Sequence, residues 1–509
     1  MDDPYWYIRS ESTDKIPKLA WLACAPIDGG QVDITHGTLV EVADGWIVEG
    51  CWDAPFSEGN FHLSENFFGS GVRITENTIY FCSSMSLTDR LVYARHDRQV
   101  IVSNSLILLL SKTGANLDLK HDYYDECYGS LKGILKYPKK FHVIHPEIVS
   151  FYQVFSANLI LHADGLQQVP RSHARHFEQY EQYISKLRQT LTAISDNSAC
   201  ACRHHPMRTY TTLSSGYDSA AVTCLANDIG VSTCFTTSPG STSKSRHMED
   251  GKRIADRLAM KSVLLDPEDA GVSENEVYFL APTYEGCEVI FDRMARYIEA
   301  EDQPAVVMTG YHGDKIWDRS TSGKYLDDEI IRGDTSGLNL SEIRLKSGFI
   351  NLAVPFLFSR SARDIVGISN LPEMRSWQTN TDYDRPIPRR IAESHDIPGQ
   401  WFGQKKKAIL SYYSKPINRD LRREFMAFLK SEVSINSPML LLYEATEMFD
   451  YFNSRVLARL MPHKRIKEVP WSLRRFVFQN KLNFRLLMFI WACTYLQEKL
   501  TLESSSRDR

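Results

Sequence analysis

Ser214, Ser215, Gly216, Asp218 and Ser219 gather hydroxyls, a glycine and a carboxylate into six residues. Small residues let a ligand approach the backbone, and free N–H groups at a strand-to-helix turn attract phosphate. The carboxylate of Asp218 adds an oxygen ligand for a hard cation bridging phosphates. Far along the chain, Thr309, Gly310, Tyr311 and Asp314 repeat the theme with a second glycine turn, a phenol and a second carboxylate. Asp218 and Asp314 together could hold Mg2+ ions that bridge the phosphates of a nucleotide. A phenol is a poor base at its ordinary pKa, so Tyr311 needs a carboxylate partner to take up a proton. Lys405, Lys406 and Lys407 offer cations able to stabilise an oxyanion, although three consecutive lysines also suit a solvated surface patch.

The elements that must position these groups follow from pattern. Arg208–Leu213 is rich in β-formers and reads as a short buried strand. Ala220, Ala221, Val222, Leu225 and Ala226 keep a helical spacing, with Gly230 as a stop. Val231–Thr237 reads as a second strand, Asp250–Leu258 as a helix and Ser262–Leu265 as a third strand. Val306–Met308 runs as a strand into the Thr309 turn, and Leu340–Leu345 opens a helix. This alternation predicts a parallel sheet with crossovers, whose ligands gather at the carboxyl ends of the strands. Thr236 and Thr237 would then lie beside the phosphate loop. Phe177, Tyr180, Ile184, Leu187, Leu191 and Ile194 recur at helical spacing, and a domain boundary is placed just before them. From about Asn418 onwards the pattern is helical, with Leu486–Trp491 facing a core.

Residues 1 to about 165 are different. Short runs such as Leu39–Val42, Trp46–Val48, Thr78–Phe81 and Val100–Val102 alternate with turn residues and read as β-rich. At 509 residues the chain suffices for two or three domains, and 43% hydrophobic with 24% charged residues suits a soluble globular protein. A formal net charge of −4 gives no electrostatic case for nucleic acid or an anionic membrane. The first residues lack a signal-peptide pattern and no apolar run is long enough to span a bilayer, so a cytoplasmic protein with ten reduced cysteines is expected. Cys200-Ala201-Cys202, with His204 and His205 after it, lacks the second pair that makes zinc spacing persuasive.

Ser214-Ser215-Gly216-Tyr217-Asp218-Ser219 resembles the S-G-G-x-D-S pyrophosphate loop of the asparagine synthetase superfamily, with serine in place of the first glycine. Thr309-Gly310-Tyr311-His312-Gly313-Asp314 resembles the T-G-Y-G-x-D turn of the β-lactam synthetase branch, with His312 replacing a glycine. A third landmark runs from Asp384-Arg385-Pro386 to Phe402-Gly403-Gln404-Lys405-Lys406-Lys407-Ala408-Ile409 and is similar to the family's R-x-K-x-G-F segment. Thr88-Asp89-Arg90 and Ser103-Asn104-Ser105 resemble, more loosely, landmarks of the class II glutamine amidotransferase domain that precedes the synthetase.

The resemblance implies an α/β chain in two parts. Residues 1–170 would be a degenerate glutamine-amidotransferase-like α+β domain of the Ntn type. Residues 171–509 would be an adenine-nucleotide α-hydrolase-like synthetase domain with a helical C-terminal extension. Asp2 stands where such glutaminases expose a cysteine, so glutamine hydrolysis is not expected. The implied activity is an ATP-dependent, AMP-forming ligase joining a small-molecule or peptide carboxylate to an amine through an acyl-adenylate. ATP and Mg2+ are the implied cofactors. Leu213, Ser214, Ser215, Gly216, Asp218, Ser219, Thr236, Thr237 and Gly310 would hold the nucleotide, and Asp218 and Asp314 the metal. Tyr311 with Glu342 would take the amine proton, and Lys406, or Lys405 or Lys407 in a neighbouring register, would stabilise the oxyanion. No nucleic-acid or membrane partner is implied, and a homodimer is left open. Two other readings compete: a nucleotide-binding protein that has lost catalysis, and a tRNA-modifying pyrophosphate-loop enzyme.

Overall fold

The computed structural model describes residues 5–171, 175–237, 251–265, 271–283, 287–404, 415–435 and 483–505. Alternating apolar residues in the N-terminal third build strands that stack as two sheets. The strands are β1 (Trp6–Ser12), β2 (Trp21–Pro26), β3 (Gly30–His36), β4 (Glu41–Ala43), β5 (Trp46–Cys51), β6 (Phe68–Thr75) and β7 (Thr78–Cys82). They continue as β8 (Leu91–His96), β9 (Gln99–Ser103), β10 (Lys140–Phe141), β11 (Phe151–Val154), β12 (Ala157–His162) and β13 (Gly165–Pro170). One sheet runs β1-β3-β2-β9-β8-β11-β10 and the other β13-β12-β7-β6-β5-β4. Trp21, Val32 and Val102 from the first sheet meet Ile47, Val72 and Leu159 from the second in one buried cluster, so the inward faces of the two sheets share a core. Helix α1 (Leu106–Thr113) follows β9, capped by the Ser105 side chain accepting from Leu108 N.

After β13 the chain changes character. Helix α2 (Tyr180–Ser198) buries Tyr183, Ile184, Leu187, Leu191 and Ile194, the stripe its sequence spacing predicts. Next come β14 (Arg208–Thr212), α3 (Tyr217–Asp228), β15 (Thr233–Thr236), α4 (Lys252–Arg257) and β16 (Lys261–Leu264). Further on lie β17 (Ala305–Thr309), α5 (Leu340–Ser347) and β18 (Phe349–Ala353). These five strands pair only in parallel, in the order β16-β15-β14-β17-β18. The first strand is central: the chain winds outward to one side through β15 and β16, then returns to the other side as β17. The order reverses between β14 and β17, and a crevice opens at the carboxyl ends of strands at such a point.

The two parts share one apolar cluster and also meet through buried charge. Arg344 on α5 donates from Nη1 to Glu49 Oε2 at 2.7 Å and from Nε to Asp89 Oδ1 at 2.6 Å. Ser70 and Asn104 also donate to Glu49 Oε1. Burial pushes the Glu49 carboxyl up, and Arg344 works against that shift. Cys200 and Cys202 form a disulfide on the turn after α2, where reduced thiols were expected; two residues of turn bring the sulfurs together. No described helix is long and apolar enough to cross a membrane.

Removing the guanidinium leaves two carboxylates buried without their counter-charge, a loss of about 3–5 kcal/mol. Arg344→Met is therefore expected to lower the urea midpoint followed by tryptophan fluorescence, and adding Glu49→Gln should recover part of it. An unchanged midpoint would show that this ion network does not carry the contact between the two parts.

Candidate functional site

β14 delivers the Ser214 loop and β17 delivers the Thr309 turn to the same end of the sheet, because the strands pair in parallel with Thr211 opposite Met308. The loop is half-exposed and closes on itself. Ser214 Oγ and Ser219 Oγ lie 2.7 Å apart, Ser214 N donates to Ser219 Oγ at 3.1 Å, and Gly216 N donates to Ser214 Oγ at 3.1 Å. Gly216 caps α3. Ser215 is not among the residues with positive φ, so serine replaces glycine there without backbone strain.

The two turns interlock through Asp218. A Cβ on Gly310 would stand 2.9 Å from Asp218 Cβ and 3.0 Å from Ser219 N, and one on Gly313 would stand 2.5 Å from Asp218 Cγ. The carboxylate thus fills the room these glycines leave. Between them His312 takes φ 74, a left-handed conformation that glycine adopts most easily. Its ring is buried and stacks on Phe356 at 4.6 Å. Burial, helped by Arg332, pushes the imidazole down to about 3, so it is neutral near pH 7.

Asp218 forms an ion pair with Arg385, whose Nε lies 3.7 Å from Asp318 Oδ2. Burial raises the Asp218 carboxyl despite Arg385, and Asp314 and Asp318 push the same way. Burial would also raise Asp314, but Lys315 Nζ at 2.7 Å, aided by Arg385, holds it below the usual carboxylate range. Asp218 Oδ1 is buried with no hydrogen-bond partner. An orphaned carboxylate oxygen beside a second carboxylate is the donor chemistry a hard divalent cation requires, so Asp218 and Asp314 fit Mg2+.

Of the remaining sequence candidates, Leu213 is buried and Leu213 N donates to Phe235 O at 2.8 Å. Thr236 is buried and its Oγ1 accepts from Gly251 N at 3.0 Å, with Thr237 buried next to it. Tyr311 is partly buried, its ring side 3.0 Å from where a Cβ on Gly337 would be. Glu342 has a different setting from the one expected. Its oxygens accept from Ser105 Oγ at 2.7 Å and Leu106 N at 2.9 Å, so the carboxylate caps α1 across the boundary between the two parts. Burial raises its pKa against those two bonds. A glutamate on the third residue of α5, facing the N-terminal sheets, is drawn to the free N–H groups at the start of α1. Lys405, Lys406 and Lys407 lie outside the described residues. The chain before them straps the loop: Gly403 N donates to Ser215 O at 2.8 Å, and a Cβ on Gly403 would stand 2.3 Å from the Tyr217 ring.

Sequence reasoning assigned no role to four residues at this crevice. Arg385 and Asp318 complete the charge cluster. Asn351 on β18 accepts from Thr309 Oγ1 at 2.9 Å and reaches Thr88 Oγ1 at 3.4 Å, bringing in the N-terminal part. The dipeptide Asp384-Arg385 before a proline and the Thr88-Asp89-Arg90 segment were visible as landmarks, whereas Asn351 carried no local signal. Elsewhere, His96, Asp97 and Glu147 group on the N-terminal part, the two carboxylates exposed. Comparisons with protein-family models and with curated protein sequences give no match.

The loop helix is anchored at its far end too. Asp228, the last residue of α3, accepts from Arg188 Nε at 3.1 Å and pairs with His395 Nε2 at 2.8 Å. The hydrogen bond to Asp228 raises His395 above its ordinary value of 6.5. A raised folded-state pKa means the stabilisation is complete below the unfolded value and is lost as pH rises through the folded one. Thermal melts between pH 5.5 and 8.5 should therefore show a pH-dependent component that His395→Gln removes; equal slopes for both proteins would refute it. Gly310→Ala should destabilise by about 1–3 kcal/mol, since the new methyl meets backbone at Ser219 rather than a movable side-chain tip. Differential scanning fluorimetry would check this, and a melt like that of wild type would contradict the interlock.

Proposed function

We propose that the chain is an ATP-dependent, AMP-forming carbon–nitrogen ligase: it activates a carboxylate as an acyl-adenylate and joins it to an amine. The observation that carries this reading is the seating of Asp218 against Gly310 and Gly313 at the reversal point of the parallel sheet. That seating puts a hydroxyl-lined loop, a helix N-terminus and two carboxylates around one crevice, the set needed to bind a polyphosphate with its cation. Bound Mg2+, held by Asp218 and Asp314, would supply charge stabilisation for the departing pyrophosphate.

The loop hydroxyls of Ser214 and Ser219 occupy the N–H groups of Ser214 and Gly216, and would turn to the phosphates when these arrive. A carboxylate oxygen of the substrate attacks the α-phosphorus, and pyrophosphate leaves with the electron pair of the broken P–O bond. The amine then adds to the activated carbonyl carbon, AMP leaves, and one ammonium proton passes to a base. Tyr311 stands on the turn beside Asp218 and is assigned that proton. Glu342 is held in the α1 clasp, so Tyr311 is proposed to take the proton as its phenolate, its own proton having passed to solvent beforehand. Lys406 keeps its proposed role at the oxyanion, on a segment that begins right after the Gly403 strap. The nitrogen is proposed to come from a substrate amine or free ammonia.

ATP–pyrophosphate exchange across a panel of carboxylates tests the reading directly: exchange should appear with the cognate acid and be absent without it. Asp218→Asn should reduce exchange by about a hundredfold or more. Tyr311→Phe should keep the exchange and lose the amide product. Parallel loss of exchange and product in Tyr311→Phe would show the tyrosine serves adenylation, and release of ammonia from glutamine coupled to amidation would overturn the nitrogen source.

A further inference from the structure

Arg385 stands immediately before the helix α6 (Pro386–Glu393), with only 3% of its side chain exposed. Its guanidinium lies over the Tyr383 ring at 4.9 Å and touches Asp218 through Nη1. The match between the two residues is incomplete on both sides. Nε of Arg385 is buried without a hydrogen-bond partner, and so is Oδ1 of Asp218. Arg344, another deeply buried arginine paired to two carboxylates, contrasts with this. Nε, Nη1 and Nη2 of Arg344 all donate, and both oxygens of Glu49 accept. A guanidinium is a planar fork of five donors suited to two-point contact with a carboxylate or phosphate. An arginine kept only to neutralise Asp218 would be expected to close that fork on it.

The charge around the crevice points the same way. Asp218, Asp314 and Asp318 face Arg385 and Lys315, three carboxylates against two cations. A divalent cation added to that set leaves an excess of one positive charge, which an anion would balance. We propose that Arg385 is a binding residue for the β- and γ-phosphates, the part of the nucleotide released as pyrophosphate, and that Asp218 holds it in place until they arrive. On arrival the ion pair separates: the carboxylate turns to the cation and the guanidinium closes on the phosphate oxygens. This inference rests on the nucleotide reading above and adds a ligand opposite the Ser214 loop.

Titration calorimetry of the full chain with Mg2+-pyrophosphate, Mg2+-ATP and AMP tests it. Arg385→Met should weaken pyrophosphate and ATP by about thirtyfold or more, and AMP by no more than about twofold. Arg385→Lys keeps the charge beside Asp218 but not the fork, so it should fold and still lose about tenfold for pyrophosphate. If the methionine variant does not fold, the lysine variant decides alone. Wild-type affinity for pyrophosphate in the lysine variant, or an equal fall for AMP, overturns the assignment of Arg385. A wild-type protein that binds neither ATP nor pyrophosphate would overturn the nucleotide reading itself, an outcome separate from the first.

Discussion

The architecture turns on a steric vacancy. Gly310 and Gly313 have no side chains, and the space they leave is taken by the carboxylate of Asp218 from another strand's turn. Such a fit is possible only because β14 and β17 are neighbours running in the same direction, so that both turns leave the sheet at one end. A methyl group on either glycine would push the loop away and separate the two carboxylates. The geometry of the crevice is therefore set by backbone packing, and its electrostatics follow. Three acidic groups drawn together in a half-buried place require cations, and Arg385 and Lys315 supply them.

A second dependence runs through α5. This helix sends Glu342 to cap α1 and Arg344 into Glu49 and Asp89, while the backbone of Leu345 accepts from Leu19 N at 3.0 Å. Directly after it, β18 carries Asn351, which ties the Thr309 turn to Thr88 of the N-terminal part. One short stretch thus fastens the N-terminal sheets and braces the far wall of the crevice. Those sheets hold the turn at Thr309 in place, whatever else they do.

Much of the framework could be read from local pattern. The Arg208 strand, the helix after the Ser214 loop, the strand into Thr309 and the stripe on α2 all appear where alternation or helical spacing put them. These elements are decided by neighbours a few residues apart, which periodicity reports. Glu342 shows where that information ends. As a glutamate near a helix start it suited a partnership with Tyr311, but its partners are residues from the opposite end of the chain, whose approach depends on how the two parts dock. Arg385 likewise was visible only as part of the Asp384-Arg385-Pro386 landmark. Only the packing of α6 against α3 brings it to Asp218. Cys200 and Cys202 were read from composition as thiols, and the turn geometry makes them a disulfide.

Helix α7 (Phe484–Ser505) reaches back across the whole chain. Its Gln497 side chain donates to the carbonyls of Leu110 at 3.3 Å and Ala115 at 3.0 Å, at the C-terminal end of α1, and Phe489 meets the Tyr123 ring. Translation at roughly 5–20 residues per second would leave that patch of the N-terminal part without its cover for about twenty to seventy seconds. A nascent chain in that interval carries an apolar face with nothing yet made to shield it. The order of synthesis thus leaves that face to be covered last, and premature termination upstream of α7 would leave it permanently open.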